Sequence, residues 1–464
     1  MADIPSPLLA LREVLGASAV LLGADVPARN ANDWSGQAPQ PPLAVIRPLD
    51  TSGVAAAFKA TRAAGLAVVP QGGLTGLCGG ARPEAGWVAL SLERMVGIEE
   101  IDAVGATMTV KAGTPLEVVQ RAADEAGMFF ALDLGARGSC TIGGNISTNA
   151  GGNRVIRYGM MRELVLGLEA VLPDGTVVSS MNRMIKNNAG YDLKQLFIGS
   201  EGTLGVVTRA VLRLHPKPGS VNTALCALPD YASVLALLGE ARKGLGPQLS
   251  AFEVMWPDYM DVITGRIGLP NPLGDNRLLH VLVEAQGTDA ALDGPRFESW
   301  LEALLDKGLL ANAALAQSMR EAKDFWALRD GCAEFLPVLG PHISYDIGLP
   351  VRGMDDFVQR CKQALALEVP TCHSVYYGHI GDGNMHMVVW VPGLPFEQQP
   401  KEDCDRVIYG LVQAMSGTVS AEHGIGTLKK KWLAHARSAE EIALMRLLKQ
   451  AIDPLQLLNP GKVI

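Results

Sequence analysis

The chain contains no stretch of about 18 or more apolar residues, so it lacks a segment of membrane-spanning length. No low-complexity tract occurs, and 48% of the residues are hydrophobic, which excludes disorder as the main theme. Charge is scarce: Asp, Glu, Lys and Arg make up 19% of the chain, against about 25% in ordinary soluble proteins. The net charge is −8, and the one basic run, Lys429-Lys430-Lys431, is too short to build a phosphate-binding face. Nucleic acid is thereby excluded as a general partner. The seven cysteines are scattered and form no CxxC pair. That argues against a disulfide framework or a cysteine zinc site and for reduced thiols. Asp3 stands where a secretory signal would carry positive charge. A soluble protein of the cytoplasm is expected.

Glycine is where the chain is rich. Of 51 glycines, 23 lie between Gly72 and Gly205, in less than a third of the chain. Such enrichment marks positive φ, or backbone brought close to something bound. With 464 residues, two or three domains are expected. The Pro-containing stretch His215–Gly219 is a natural boundary. Before it, strands are predicted over Leu43–Arg47 and Ala67–Pro70, with a helix over Thr51–Ala64 between them. Hairpins are predicted at Ile98–Lys111 and Val165–Ser179. Thr114-Pro115-Leu116-Glu117 reads as a capping box opening a helix to about Ala126. Beyond the boundary, helices are predicted at Tyr231–Lys243, Pro295–Leu304 and Met354–Leu367, and strands at Leu278–Glu284 and His386–Val391. The class is α+β.

The first glycine loop, Pro70-Gln71-Gly72-Gly73-Leu74-Thr75-Gly76 and on to Gly80, follows a strand and offers successive backbone N–H groups to an anion. It lacks the GxGxxG fingerprint of nicotinamide binders, and no Walker A sequence exists. A second loop runs from Gly135 to Asn145 and into Gly151-Gly152. A third runs from Lys186 through Gly-Tyr-Asp-Leu-Lys-Gln-Leu-Phe-Ile-Gly-Ser-Glu-Gly-Thr-Leu-Gly to Gly205. Three such loops predict a long groove for a large cofactor with a diphosphate. On these motifs the chain, from about residue 40 to 464, resembles the FAD-linked oxidases of the vanillyl-alcohol oxidase/PCMH type, and within them the D-lactate and D-2-hydroxyglutarate dehydrogenases.

An N-terminal helical segment is expected over 1–37, and the resemblance implies a PCMH-type FAD-binding domain over 38–217 and an α+β substrate domain over 218–464 with a C-terminal helical segment. It implies that Pro70, Gln71, Gly72, Gly73, Leu74, Thr75 and Gly76 wrap the FAD diphosphate. Gly135, Ser139, Thr141, Gly143, Gly144, Asn149, Gly152, Glu201, Gly205, Val207 and Asn459 are placed along the cofactor by the same likeness. Some relatives attach flavin through a histidine in the first loop. Here Leu74 and Thr75 stand there, so noncovalent FAD is expected.

Three of the eight histidines fall in two compact motifs, His379-Ile-Gly-Asp-Gly-Asn-Met-His386 and Glu422-His423-Gly-Ile-Gly. On a straight strand His379 and His386 would face opposite ways, but the Gly-Asp-Gly-Asn turn brings both imidazoles toward one point. With Glu422 they make a two-histidine, one-carboxylate set suited to one divalent cation, zinc first, with manganese, iron or cobalt tolerable. His423 is left as the base that takes a hydroxyl proton, the role relatives assign it. Arg329 matches the family arginine that pairs with the substrate carboxylate. At three further positions, where the 2-hydroxyglutarate enzymes carry threonine, lysine and asparagine, this chain has Ala333, Ser344 and Val388. A D-lactate-like or bulkier apolar D-2-hydroxy acid is therefore expected as substrate. The electrons would pass to an external acceptor (an electron-transfer flavoprotein, quinone or cytochrome), and the relatives imply a homodimer. The alternatives are a D-2-hydroxyglutarate dehydrogenase, an FAD oxidase of an alcohol, ether or amine, and a non-catalytic flavin-binding protein.

Overall fold

The computed structural model describes residues 4–464, and the chain divides into two compact units. The first comprises 4–152, 159–217 and 422–464; the second comprises 153–158 and 218–421. The chain passes from the first unit to the second after Lys217. The C-terminal stretch differs, because Glu422–Ile464 returns to the first unit. The reason is physical: Val68 N–H donates to Leu457 O at 2.7 Å, Asn459 N–H to Val68 O at 2.7 Å, and the chain end thus adds an edge to a sheet of the first unit. The segment expected over 1–37 is likewise built in. Residues 1–3 of it lie outside the described residues; the rest includes the helix Ser6–Leu15 and the strand Val20–Leu22, which pairs with Ala44–Ile46.

In the first unit one four-stranded sheet runs in the order Val20–Leu22, Ala44–Ile46, Val88–Ser91, Val68–Gln71, with its last two pairings parallel. The helix Thr51–Ala63 makes the crossover, started by Asp50, whose side chain accepts from Gly53 N–H. A second, antiparallel sheet of five strands joins Ile98–Asp102, Thr107–Lys111, Val206–Arg213, Val165–Val171 and Val177–Ser180. Both predicted hairpins are present in it. The helix after Pro115 forms at Leu116–Glu125, but Thr114 does not cap it. Its hydroxyl is turned to Lys111 O at 2.7 Å and also accepts from Gly97 N–H, so tertiary hydrogen bonds displace the capping box.

The second unit is a seven-stranded antiparallel sheet in the order Asn312–Leu315, Ser220–Leu228, Leu279–Gly287, Leu249–Met255, His373–Gly378, Asn384–Trp390, Ile343–Gly348. Leu249–Met255 and Leu279–Gly287 are buried along their whole length. On one face Leu225, Leu282, Met255, Val375, Tyr377 and Val388 pack with Tyr259, Phe325, Leu328 and Phe335 from neighbouring helices. Each Leu, Val or Met removed from water there stabilises by about 1.5–3 kcal/mol. The helix predicted from Pro295 begins earlier, at Ala290, because Asp289 caps it and Pro295 falls inside.

Candidate active site

A groove in the first unit is lined by Pro70–Cys78 of the first loop, by Gly135, Thr141, Gly143 and Gly144 of the second, and by Glu201, Gly205 and Val207; Glu422 and His423 lie on the same lining. Among the described residues, no backbone N–H from Gly72 to Leu77 donates to another protein group. An anion laid along this loop would satisfy those donors, as a diphosphate does. Packing makes the glycines obligatory: a Cβ on Gly73 would stand 2.0 Å from Ser139 O. Thr141 Oγ1 and Asn459 Oδ1 are buried without a partner, and such orphaned atoms ask for an occupant. Thr141 lines the groove itself. These residues fit FAD.

Four expected cofactor contacts do not line this groove. Ser139 lines an adjoining pocket that shares Gly72, Gly73, Leu74 and Thr141. Asn149, at φ 49°, uses Oδ1 to accept from Arg162 N–H at 2.9 Å and so ties two helical turns together. Gly152 is required by backbone packing, since a Cβ there would meet Asp133 O at 2.0 Å. Asn459 spans two loops of the groove, donating to Gly80 O at 3.1 Å and Glu201 O at 2.9 Å. The third loop contributes only its end. Residues 186–191 are exposed, and Tyr191 is 93% so.

In the second unit the turn between His379 and His386 forms as its residues require. Ile380–Asp382 is a single 3-10 turn, Gly383 is left-handed at φ 94°, and Asn384 N–H returns to His379 O at 3.1 Å. The two imidazole centroids are 5.2 Å apart at 83°, and ring nitrogens of the pair lie within 4.8 Å. The site is thus closer to convergence than straight-strand geometry would permit.

Two carboxylates in this unit were not anticipated. Glu253 is fully buried, accepts from His379 Nδ1 at 2.7 Å, and pairs with Arg329 Nε at 2.9 Å. Burial opposes its charge, but His379 and Arg329 prevail and hold its pKa down to about 2. With Nδ1–H facing Glu253, His379 presents Nε2 as the lone-pair nitrogen. Arg329 Nη2 is 2.9 Å from that nitrogen, and the guanidinium lies over the Tyr377 ring at 5.7 Å. Burial pushes the Tyr377 phenol well above its ordinary pKa, so it stays neutral.

Asp346, the second, is the cross-strand partner of His386, with a carboxylate oxygen within 4.8 Å of a ring nitrogen. It is also bound by Asn384 Nδ2 at 2.8 Å, Ser420 Oγ at 3.1 Å and Ala421 N–H at 3.1 Å. A sequence signal for both existed: each is the lone charged residue of its strand, Leu249–Met255 and Ile343–Gly348. Of the expected pocket residues, Val388 is buried in the apolar cluster and opposite Ser344, which is exposed on the edge strand; Ala333, four residues after Arg329, is exposed.

Residues 217–463 match the family of FAD linked oxidases, C-terminal domain, and residues 42–180 match the FAD binding domain. The chain belongs to the FAD-linked oxidases. This FAD-linked oxidase is 40% identical over 434 residues to a D-2-hydroxyglutarate dehydrogenase of Xanthomonas citri pv. viticola, covering 93% of this chain and 91% of the relative. It is 37% identical over 450 residues to a mitochondrial Schizosaccharomyces pombe protein named provisionally a D-lactate dehydrogenase, covering 95% and 85%. Its fold is that of p-cresol methylhydroxylase, at TM-score 0.79 and 16% identity over 98% of this chain and 96% of that one. The expected PCMH-type architecture is borne out, and the chain is an FAD-dependent oxidoreductase.

Proposed function

We propose that this oxidoreductase converts a D-2-hydroxy acid of the D-lactate type, or a bulkier apolar one, into the 2-oxo acid. The observation that carries the reading is the pairing of an FAD groove bearing Glu422 and His423 with relatives named for D-2-hydroxy acid oxidation. FAD bound in the groove supplies the two-electron acceptor. A divalent cation, zinc first, held by His379, His386 and Glu422 supplies a Lewis acid and template for the substrate oxygens. Chain continuity supports that ligand set: Ala421, which precedes Glu422, is hydrogen-bonded to Asp346, the strand partner of His386. A ring nitrogen of His423 takes the hydroxyl proton. Arg329 has Nε committed to Glu253 and Nη2 turned to His379, and its guanidinium is the cation offered to the substrate carboxylate.

The apolar side chain is argued from Val388, buried among Val375, Tyr377 and Trp390, where a second carboxylate would lose solvation without a donor in return. Relatives at 37–40% identity are named D-2-hydroxyglutarate dehydrogenases, which favours a dicarboxylate as the second reading. An external electron acceptor, a homodimer and a cytoplasmic setting complete the proposal; the scatter of the seven cysteines, with no CxxC pair, supports a reducing compartment.

The test is turnover of D- and L-2-hydroxy acids with a dye acceptor. D-lactate, D-2-hydroxyisovalerate or D-mandelate should lead in kcat/KM. A tenfold preference for D-malate or D-2-hydroxyglutarate, about 1.4 kcal/mol in transition-state binding, overturns the pocket reading. Elemental analysis should find close to one equivalent of metal, lost in His379→Ala and His386→Ala while FAD stays. Peroxide release during turnover would favour an oxidase instead.

A further inference from the structure

Glu201 lines the FAD groove, yet both of its carboxylate oxygens are already occupied. Oε1 accepts from Ile425 N–H at 2.7 Å, and Oε2 accepts from Gly426 N–H at 2.8 Å. Two successive backbone donors on two oxygens form a grip that a carboxylate makes and an amide does not, because an amide offers one acceptor. The loop is flush against the grip. Gly424 is left-handed at φ +82°, and a Cβ there would stand 2.8 Å from Glu201 Oε1. Gly426 lies against Cys78 O, which also accepts from Thr427 N–H at 2.9 Å.

The carboxylate itself is held from behind. Glu201 takes a left-handed φ of 50°, its N–H donates to Ser147 O at 2.8 Å, and its O accepts from Asn459 Nδ2 at 2.9 Å. An anion at this place would repel a diphosphate, so direct contact to the cofactor is the weaker explanation for a glutamate here. His423 is the residue immediately before Gly424, and it lines the same groove.

From this geometry we infer that Glu201 is a positioning residue for His423: it clasps residues 424–426 and so fixes where the imidazole stands in the groove. The inference rests on reading His423 as the base. The clasp itself lies wholly within the first unit and can be read without turnover.

The experiment uses the FAD-loaded full chain and Glu201→Gln, with Gly424→Ala as a second variant that pushes on the clasp from the other side. Backbone amide exchange of Ile425 and Gly426 should accelerate in both, while residues 70–80 keep their protection and FAD stays at one equivalent. With the best 2-hydroxy acid, kcat should fall on the order of 10–100-fold, a part of what a general base contributes, with KM changed less than twofold. Glu201→Gln in a His423→Ala background should cost nothing further, because both act through one imidazole. Loss of FAD with residues 425 and 426 still protected, or an additive double variant, overturns the inference. If the unaltered protein oxidises no 2-hydroxy acid, the functional reading fails, and the exchange measurement alone decides whether the clasp exists.

Discussion

The two units solve the same problem, holding reactive side chains still, by different means. In the first, loops do the work, and the fixing groups are backbone amides: Glu201 against Ile425 and Gly426, Asn459 against Gly80 and Glu201 carbonyls. In the second, strands carry the groups, and side chains fix them: Glu253 by an ion pair with Arg329 and a hydrogen bond with His379, Asp346 by hydrogen bonds from Asn384 and Ser420. Half-buried Glu201 and fully buried Glu253 show the contrast in their acidities. Burial raises Glu201, with the Ile425 and Gly426 amides opposing. Burial also works against Glu253, but neighbouring charges overturn it and lower the value to about 2.

The sharpest way to break this comparison is to remove the base. His423→Ala should retain FAD and lose on the order of 10²–10⁴ in turnover; a variant with the unaltered rate across pH 6–9 would take His423 out of the mechanism. Next comes the charge cluster of the second unit. Glu253→Ala leaves Arg329 buried without its ion pair and should destabilise by about 3–5 kcal/mol in urea unfolding, with metal content reduced and FAD affinity unchanged. The corresponding insult to the first unit is Gly73→Ala. Its Cβ has nowhere to go beside Ser139 O, so FAD affinity should fall at least tenfold in equilibrium dialysis, with unfolding of the second unit unaffected.

A smaller effect tests the C-terminal return. Lys462 is buried and donates to Gly80 O at 3.0 Å, and burial pulls its pKa down to about 8. In the unfolded chain it titrates near an ordinary lysine value of about 10.4, so the unfolded state binds more protons between those values. Its contribution to stability should therefore grow as pH rises from about 8 to about 10.4, and be lost as pH falls through 8. The stability difference between the unaltered chain and Lys462→Met, followed over that window, checks the sign. Smallest of all, Thr141→Val should weaken FAD by about 1 kcal/mol, the net worth of one hydrogen bond.

Much of this could be read along the chain. Both hairpins, the crossover helix Thr51–Ala63 and the strand that carries His386 follow from local patterning and turn residues. So did the glycine loops, because a positive φ or a missing Cβ is a property of one residue. The histidine turn was legible for the same reason, since Gly-Asp-Gly-Asn is a local instruction. What the sequence could not announce is partnership at a distance. Glu253 meets Arg329 and His379 across 76 and 126 residues, and Glu201 meets Ile425 across 224. The capping box failed at Thr114 because Gly97 and Lys111 compete for its hydroxyl. The C-terminal stretch joined the first unit because Val68 had edge hydrogen bonds to give. Local geometry is written residue by residue; which buried charge finds which partner is decided only when the strands and loops are brought together in the folded core.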